Sequence, residues 1–324
     1  MMLNMIQSIN LALKQEMERD GNVVVFGEDV GKVGGVFRAT EGLQQQFSER
    51  RVFDTPLSEL GIVSTAVGMA AYGLRPVAEI QFSGFIFAAM EHLYSHAARI
   101  RTRSRGRYTC PMVLRSPHFG GIHALELHSE GTEALFVHTP GLKVAIPSTP
   151  YDAKGLLASA IRDNDPVIFL EAMKLYRAYK EEVPEEEYTI PLGKAKIMKE
   201  GNDVSIFSYG VMAHVALKAA EEAKAKGIDC EVIDLRTLSP LDIDAILNSV
   251  KKTGRAIVVH EGPRRCGIGA EIAALINEKA MLSLEAPVVR VTGYDVPYPL
   301  YKMEKLYLPD IKKVLIGIEK AAKF

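Results

Sequence analysis

The sequence has few cysteines and no excess of charge, and each shortage excludes a class of protein. Cys110, Cys230 and Cys266 are the only thiols among 324 residues. Their spacing fits neither a zinc site nor a disulfide framework, as expected in a reducing compartment. Thirty-nine basic residues against 40 acidic ones give a formal net charge of −1, which provides no field for nucleic acid or an anionic membrane.

Long apolar runs and targeting signals are also missing. No window approaches the roughly 18 consecutive apolar residues of a membrane-spanning helix. The N-terminal segment has apolar residues at helical spacing but neither a basic region nor a small-residue cleavage site. We therefore expect a cytoplasmic protein with no nucleic-acid or membrane partner.

Short apolar strands alternate with helical segments along the chain. This rhythm predicts an α/β fold of two domains, a doubly wound, mostly parallel sheet in residues 1–185 and a second α/β domain in residues 186–324. The charged, proline-interrupted stretch 176–203 is typical of an exposed connection. Apolar periodicity predicts one helix over residues 86–103.

An acid and an aromatic residue stand close together in the first domain, with no phosphate-binding loop nearby. Glu59 opens a Gly- and Ala-rich helix, and Phe85 is predicted at the end of the next strand. This pair predicts contact with a heteroaromatic cofactor, in which Glu59 shares a proton with a ring nitrogen and Phe85 supplies a stacking surface. Ser58 and Glu59 also suit an ordinary helix start.

His128 lies in a loop that begins with the paired glycines Gly120 and Gly121. A loop that delivers a histidine titrating near neutrality suits a proton-transfer step, although a lone loop histidine is also common at an ordinary surface. His123, in the same loop, is the weaker candidate.

Three further patterns have simpler explanations than a binding site. His92 and His96 lack the residue order of a zinc protease helix, so we expect no metal there. Asp163 and Asp165 follow a helix and can lend oxygens to a cation, but such residues also end helices routinely. The glycines from Gly267 to Gly269 form an incomplete dinucleotide motif, and close helix packing explains them.

From end to end, the chain resembles the β subunit of the thiamin-diphosphate-dependent E1 component of 2-oxo acid dehydrogenase complexes. The resemblance implies a pyrimidine-binding domain followed by a transketolase-C-like domain. The segments that carry it include Phe26-Gly-Glu-Asp-Val, Asp54-Thr-Pro-Leu-Ser-Glu, Glu79-Ile-Gln-Phe, His138-Thr-Pro-Gly-Leu-Lys-Val, Ser148-Thr-Pro-Tyr-Asp-Ala-Lys-Gly-Leu and Val291-Thr-Gly-Tyr-Asp-Val-Pro-Tyr-Pro.

The resemblance also implies a role for each matched residue. Glu59 faces the pyrimidine nitrogen of thiamin diphosphate that must be protonated, and Glu28 belongs to the acid network beside it. His128 serves proton transfer and delivery to the lipoyl acceptor. The pyrimidine ring is lined or stacked by Leu57, Gln81 and Phe85. A monovalent cation, with K⁺ as the candidate, would fall on Met112, Ala160, Asp163 and Asp165, where Asp165 replaces the usual Asn.

Partners follow from what the family needs and this chain lacks. The sequence has no Gly-Asp-Gly followed by paired Asn, the motif with which the family's α chains hold Mg²⁺ and the diphosphate. The resemblance thus implies an α₂β₂ heterotetramer with an E1 α subunit. In the family, the E2 lipoyl acyltransferase docks on the C-terminal domain, here about residues 190–324.

The implied reaction is decarboxylation of a small 2-oxo acid and transfer of the acyl group to the lipoyl group of E2. The segment Gly293–Pro299 resembles branched-chain enzymes, whereas Ile122–Ser129 is closer to bacterial pyruvate enzymes. We expect branched-chain 2-oxo acids as main substrates, with pyruvate dehydrogenase as the alternative. A split transketolase-like half and a non-catalytic scaffold are the more distant alternatives.

Overall fold

Two large sheets and one two-stranded antiparallel sheet organise the chain, and this computed structural model describes all 324 residues. The strands are β1 (Met2–Leu3), β2 (Val23–Gly27), β3 (Val52–Asp54), β4 (Arg75–Glu79), β5 (Val113–His118), β6 (Lys143–Ala145), β7 (Val167–Ala172), β8 (Glu181–Glu182), β9 (Lys196–Lys199), β10 (Val204–Ser208), β11 (Cys230–Asp234), β12 (Thr237–Ser239), β13 (Ala256–Pro263) and β14 (Val289–Gly293).

Helices connect most of these strands. They are α1 (Met5–Arg19), α2 (Leu43–Phe47), α3 (Glu59–Ala71), α4 (Met90–Ser95), α5 (Ile100–Arg103), α6 (Glu133–Val137), α7 (Pro150–Arg162), α8 (Val211–Lys224), α9 (Ile243–Thr253), α10 (Ile268–Ala280), α11 (Glu304–Tyr307) and α12 (Ile311–Ala322). Short 3-10 helices cover Ser83–Ala89, Ala97–Arg99, Met173–Leu175 and Met281–Ser283.

The first sheet has seven strands in the order β12-β6-β7-β5-β4-β2-β3. All neighbouring pairs are parallel except β12 with β6. Every residue of β2, β5 and β7 is buried. β2 and most of β7 accordingly form continuous apolar runs, whereas β5 carries the buried polar side chains of Arg115, Ser116 and His118. The predicted mostly parallel α/β sheet is confirmed.

The second sheet has five strands in the order β14-β13-β10-β11-β9. Its members are parallel except β9, which runs antiparallel to β11. The predicted second α/β domain is confirmed. β12 follows β11 in the chain but pairs with β6 of the first sheet, so the second half of the chain supplies an edge strand to the first sheet.

Helix starts follow the side-chain capping rules. Asn4 and Gln7 form a reciprocal capping box at α1, and Thr149 caps α7, where Pro150 takes the first helical position. Asp242 and Asp310 cap α9 and α12 by accepting backbone N–H groups. In each case the capping residue can be recognised in the sequence, directly before the helix that it starts.

The single helix predicted over residues 86–103 is wrong. The segment is broken into α4, α5 and two 3-10 turns, and the backbone leaves regular helical geometry at Ala89, His96 and Arg99. Its buried positions, Leu93 and Ala97 among them, still recur at helical spacing. The apolar pattern therefore identifies the buried face but not the breaks.

The stretch 176–203 is mostly exposed or half-buried, in keeping with the exposed connection that the sequence suggested, but it is hydrogen-bonded to α7. Lys154 of α7 is buried and donates from Nζ to the carbonyl oxygens of Pro184 (2.6 Å) and Glu186 (2.8 Å). Ser159 donates to the carbonyl of Ile190 (2.6 Å). Backbone carbonyls bind this segment to α7, and composition does not reveal such bonds.

Among all the helices, none combines the length and the apolar character needed to cross a membrane.

Candidate half of an active site

Acidic and amide side chains meet at the carboxyl edge of the first sheet. β2 and β4 are parallel neighbours, so the residues that follow them emerge side by side. Gln81 donates from Nε2 to the carbonyl oxygen of Glu28 (3.2 Å) and to Oδ2 of Asp29 (3.1 Å). The structure thus brings together Glu28 and Gln81, two of the residues that the resemblance assigns to the cofactor site.

Glu28 is the buried acid of this edge. Its side chain is buried, and its Oε1 atom has no hydrogen-bond partner in the chain. Burial raises the pKa of Glu28, and the negative charges of Glu59 and then Asp29 raise it further. A buried, unpartnered carboxylate oxygen carries a desolvation penalty that a donor from a bound group would relieve.

Glu59 stands at the first position of α3, where the Ser58 hydroxyl accepts the N–H of Gly61. The half-buried carboxylate of Glu59 makes no hydrogen bond and no ion pair within the chain. α3 packs against the 3-10 segment that contains Phe85. Leu57, just before the helix, is 80% exposed.

The ring of His128 packs between two phenylalanines. Its centroid lies 4.1 Å from that of Phe82 and 5.2 Å from that of Phe85. The Nδ1 atom lies 2.7 Å from the carbonyl oxygen of Glu126. Because a carbonyl only accepts, Nδ1 carries the proton in the neutral ring, and Nε2 keeps its lone pair.

Phe82 was missed by the sequence analysis. It stands three residues before Phe85, as the extended residue that precedes the 3-10 helix Ser83–Ala89, so its short spacing to Phe85 was an available signal. The sequence analysis predicted Phe85 at the end of a strand, and this is wrong. β4 ends at Glu79, and Phe85 belongs to the 3-10 helix Ser83–Ala89.

The His128 loop lies directly on this 3-10 helix. A Cβ atom added to Gly84 would collide with the carbonyl oxygen of Leu127, so only glycine permits this approach. His123 points elsewhere: its Nδ1 lies 2.7 Å from Oε2 of Glu304, at an angle outside hydrogen-bonding geometry, and its ring packs on Tyr301 at 4.4 Å.

A buried ionic cluster ties together the strands behind the site. Arg115 of β5 donates to Glu79 of β4 (2.7 Å) and, through two nitrogens, to Glu171 of β7 (2.7 and 3.0 Å). Tyr176 donates its hydroxyl to Glu171 as well (2.7 Å). All four side chains are buried. Each oxygen and nitrogen named has a partner, which a charge in the interior requires.

The four residues named for a monovalent cation lie near one another at the end of α7. The carbonyl oxygens of Met112 and Ala160 accept the N–H groups of Val167 and Asp163. The carboxylate of Asp163 pairs with Lys143 (2.6 Å), and that of Asp165 pairs with Arg101 (2.6 Å). These oxygens already have protein partners, and the cation site stays a prediction.

Glu91, His92 and His96 bring three ligand atoms within 4.8 Å of one another. The residue order that argued against a metal in the sequence therefore does not keep these groups apart. Arg103 lies 3.3 Å from Nδ1 of His96, and its positive charge opposes a cation at this exposed place.

The glycines of the incomplete dinucleotide motif do serve packing, since a Cβ on Gly269 would lie 2.9 Å from Nε2 of His260.

Comparison with known families agrees with this arrangement. Residues 1–178 match the family described as "Transketolase, pyrimidine binding domain" and residues 193–314 match "Transketolase, C-terminal domain". The predicted boundary near residue 186 falls between the two matches and stays a prediction. A solved structure described as "Split gene transketolase, inactive beta4 tetramer" superposes with a TM-score of 0.81 over 99% of this chain and 98% of that chain. Its sequence identity of 22% makes this a likeness of fold alone.

Several proteins are more similar to this chain in sequence than that solved structure is. The protein named "Pyruvate dehydrogenase E1 component subunit beta" in Bacillus subtilis (strain 168) is 58% identical over 322 residues, which cover 99% of each chain. The protein of the same name in Staphylococcus aureus (strain N315) is 54% identical over 322 residues, again 99% of each chain. That of Staphylococcus epidermidis is 54% identical over 313 residues, 97% of this chain and 96% of that one.

The two sheets and the two matched regions define a transketolase-type α/β protein with a pyrimidine-binding and a C-terminal domain. Within that class, the chain belongs to the family of β subunits of the E1 component of 2-oxo acid dehydrogenases.

Proposed function

We propose that this chain is the β half of a thiamin-diphosphate-dependent E1 enzyme whose main substrate is pyruvate. The relatives at 54–58% identity carry pyruvate in their names, which favours pyruvate over the branched-chain acids that the sequence analysis preferred. The residues read as branched-chain-like, from Gly293 to Pro299, begin at the last residue of β14, in the second sheet, and lie outside the edge that holds Glu28 and Glu59. They are therefore a weak guide to the acyl pocket.

One observation carries the proposal. A free carboxylate, Glu59, stands close enough to the buried Glu28 for its charge to raise the Glu28 pKa, and the Glu28 Oε1 atom has no partner. Such a pair suits a ring that presents both a basic nitrogen and an amino donor, as the thiamin pyrimidine does. When bound, thiamin diphosphate supplies the carbanion that attacks a 2-oxo acid and the electron sink for carbon dioxide loss.

The residues of this chain bind the ring and control its protons. Glu59 holds and exchanges the proton at the ring nitrogen. Phe85 and Leu57 give apolar surface to the ring, and Gln81 fixes the backbone of Glu28 and the side chain of Asp29. His128, with Nε2 free, moves a proton when the acyl group passes to the lipoyl acceptor.

The other parts of the enzyme come from partners. An E1 α subunit would hold Mg²⁺ and the diphosphate and complete an α₂β₂ heterotetramer. The exposed Leu57 and Leu60 (80% and 45%) lie on either side of Glu59 in sequence, as an interface would place them. The E2 acyltransferase would dock on the C-terminal domain. A K⁺ ion at Met112, Ala160, Asp163 and Asp165 would have to share oxygens that already accept hydrogen bonds or pair with Lys143 and Arg101.

The direct test is to co-express the chain with its cognate α subunit, add thiamin diphosphate and Mg²⁺, and compare decarboxylation of pyruvate and 3-methyl-2-oxobutanoate with an artificial electron acceptor. We expect a higher kcat/KM for pyruvate. A higher kcat/KM for the branched acid would restore the branched-chain assignment, and no turnover of either acid by an assembled tetramer would overturn the E1 role.

A further inference from the structure

The loop that carries His128 is held at its start by the other domain. Residues 119–132 leave β5 of the first sheet and contain no helix or strand before α6. Three backbone N–H groups near the start of this loop donate to carboxylates that lie more than 140 residues away in sequence. The contact crosses from the C-terminal domain to the candidate active site.

Glu304, the first residue of α11, makes two of these bonds. Its Oε1 accepts the N–H of Gly121 (2.8 Å) and the hydroxyl of Tyr298 (2.8 Å), and its Oε2 accepts the N–H of His123 (3.2 Å). The Glu304 side chain is 2% exposed. Both oxygens act only as acceptors, a task that an ionised carboxylate performs and an amide cannot.

Glu261, in β13, makes the third bond. Its Oε2 accepts the N–H of Gly120 (3.0 Å), and the side chain is buried. β13 touches the far end of the loop as well, since a Cβ on Gly131 would lie 2.7 Å from Cα of Gly262. The loop thus rests on the C-terminal domain at both ends.

We propose that Glu304 and Glu261 are positioning residues that hold the start of the His128 loop, so that the C-terminal domain sets the place of the His128 ring over Phe82. This rests on the proposed function for the role of His128, but not for the contact itself. Glycine at positions 120 and 121 fits the same role, because a Cβ on Gly120 would collide with Tyr298 and one on Gly121 would lie 2.7 Å from Cδ of Lys174.

The variants that test it are Glu304→Gln and Glu261→Gln in the assembled heterotetramer with thiamin diphosphate and Mg²⁺. In Glu304→Gln, one acceptor oxygen becomes an NH₂ group that faces an N–H donor or a hydroxyl. Glu231→Gln is the matched control, because Glu231 is an equally buried glutamate of the same domain that accepts from Ser249 and Lys252, away from the loop.

The first measurement is amide hydrogen exchange. We expect exchange in residues 120–128 to be at least about tenfold faster in Glu304→Gln than in wild type, with a smaller increase centred on Gly120 in Glu261→Gln. Exchange in β10 and β13 should stay at wild-type rates, and Glu231→Gln should leave the loop unchanged. Wild-type exchange in the loop, or an increase spread over the whole C-terminal domain, would overturn the proposal.

The second measurement separates positioning from folding. In Glu304→Gln, kcat for reductive acylation of a lipoyl domain should fall about tenfold to a hundredfold, while KM for the 2-oxo acid stays within about twofold. Equal losses in Glu304→Gln and Glu231→Gln would contradict a positioning role. If the wild-type enzyme turns over no 2-oxo acid, the proposed function fails, whereas the exchange result still decides this inference.

Discussion

The imidazole of His128 lies 4.1 Å from the phenyl ring of Phe82, centroid to centroid, with the two planes tilted by 40°. The two residues are 46 positions apart, and each belongs to a different segment above the first sheet. Nδ1 of His128 donates to the carbonyl oxygen of Glu126. Nε2 is therefore the ring nitrogen that keeps a lone pair. The pair therefore links the aromatic wall of the ring site to the group proposed for proton transfer.

Removing the Phe82 ring should release His128. In Phe82→Ala, we expect kcat for lipoyl-domain acylation to fall about tenfold to a hundredfold, because a misplaced catalytic group loses its orientation advantage. Decarboxylation with an artificial acceptor should fall less. Phe47→Ala is the control, since Phe47 is half-buried at α2 and its ring packs on Arg51 (5.3 Å). Equal effects of the two variants on acylation would contradict the role of Phe82.

A methyl group at Gly84 should displace the His128 loop. The new Cβ of Gly84→Ala would collide with the carbonyl oxygen of Leu127, and backbone cannot yield as a flexible side chain does. We expect lower acylation activity and faster amide exchange in residues 125–130. Gly21→Ala is the matched control, because no atom lies within 4 Å of its added Cβ, and its activity should stay at the wild-type level.

The buried arginine behind the site should dominate stability. Arg115→Met leaves the carboxylates of Glu79 and Glu171 buried without their cation, which costs about 3–5 kcal/mol of unfolding free energy. Arg101→Ala breaks an ion pair in which both side chains are partly exposed (46% and 31%) and should cost about 1 kcal/mol or less. Chemical denaturation of both variants measures the contrast, and similar losses would contradict it.

Stability should also fall as pH rises toward neutrality. The pKa of Glu261 is raised from an ordinary 4.5 to about 7: burial is the largest cause, the Gly120 N–H and Lys174 lower the pKa, and Glu133 and Glu304 raise it. Because the folded-state pKa lies above the unfolded one, this stabilising contribution is complete below about pH 4.5 and is lost as pH rises through 7.

The matching experiment follows unfolding free energy by circular dichroism from pH 5 to pH 8. Wild type should lose up to about 3 kcal/mol relative to Glu261→Gln across this range, and Glu231→Gln should follow wild type. Parallel pH curves for wild type and Glu261→Gln would show that the Glu261 pKa is not raised.

The sequence predicts the fold well where local chemistry decides it. Caps such as Asn4, Thr149 and Asp310 fix helix starts, and buried strands appear as apolar runs. The breaks at Ala89 and His96 were not predictable, because no capping residue or proline marks them. The edge strand β12 was not predictable either, since its pairing with β6 depends on how two distant halves meet.

The sequence predicts those residues of the site that follow neighbouring parallel strands or carry an ionisable side chain. Glu28 and Gln81 follow neighbouring parallel strands, and Glu59 and His128 carry recognisable chemistry. Phe82 was accessible from its spacing to Phe85. Glu304 was not, because it reaches the loop from more than 180 residues away, and no local pattern encodes a hydrogen bond between its carboxylate and backbone N–H groups.

The most direct test of the account is the decarboxylation rate of Glu59→Gln in the assembled heterotetramer, with the exposed Glu49→Gln as control. We predict a loss of about 10²–10⁴-fold in kcat, as for removal of a general acid/base, with unchanged assembly. A Glu59→Gln tetramer that decarboxylates within about twofold of wild type would contradict the claim that this chain supplies the acid of the site.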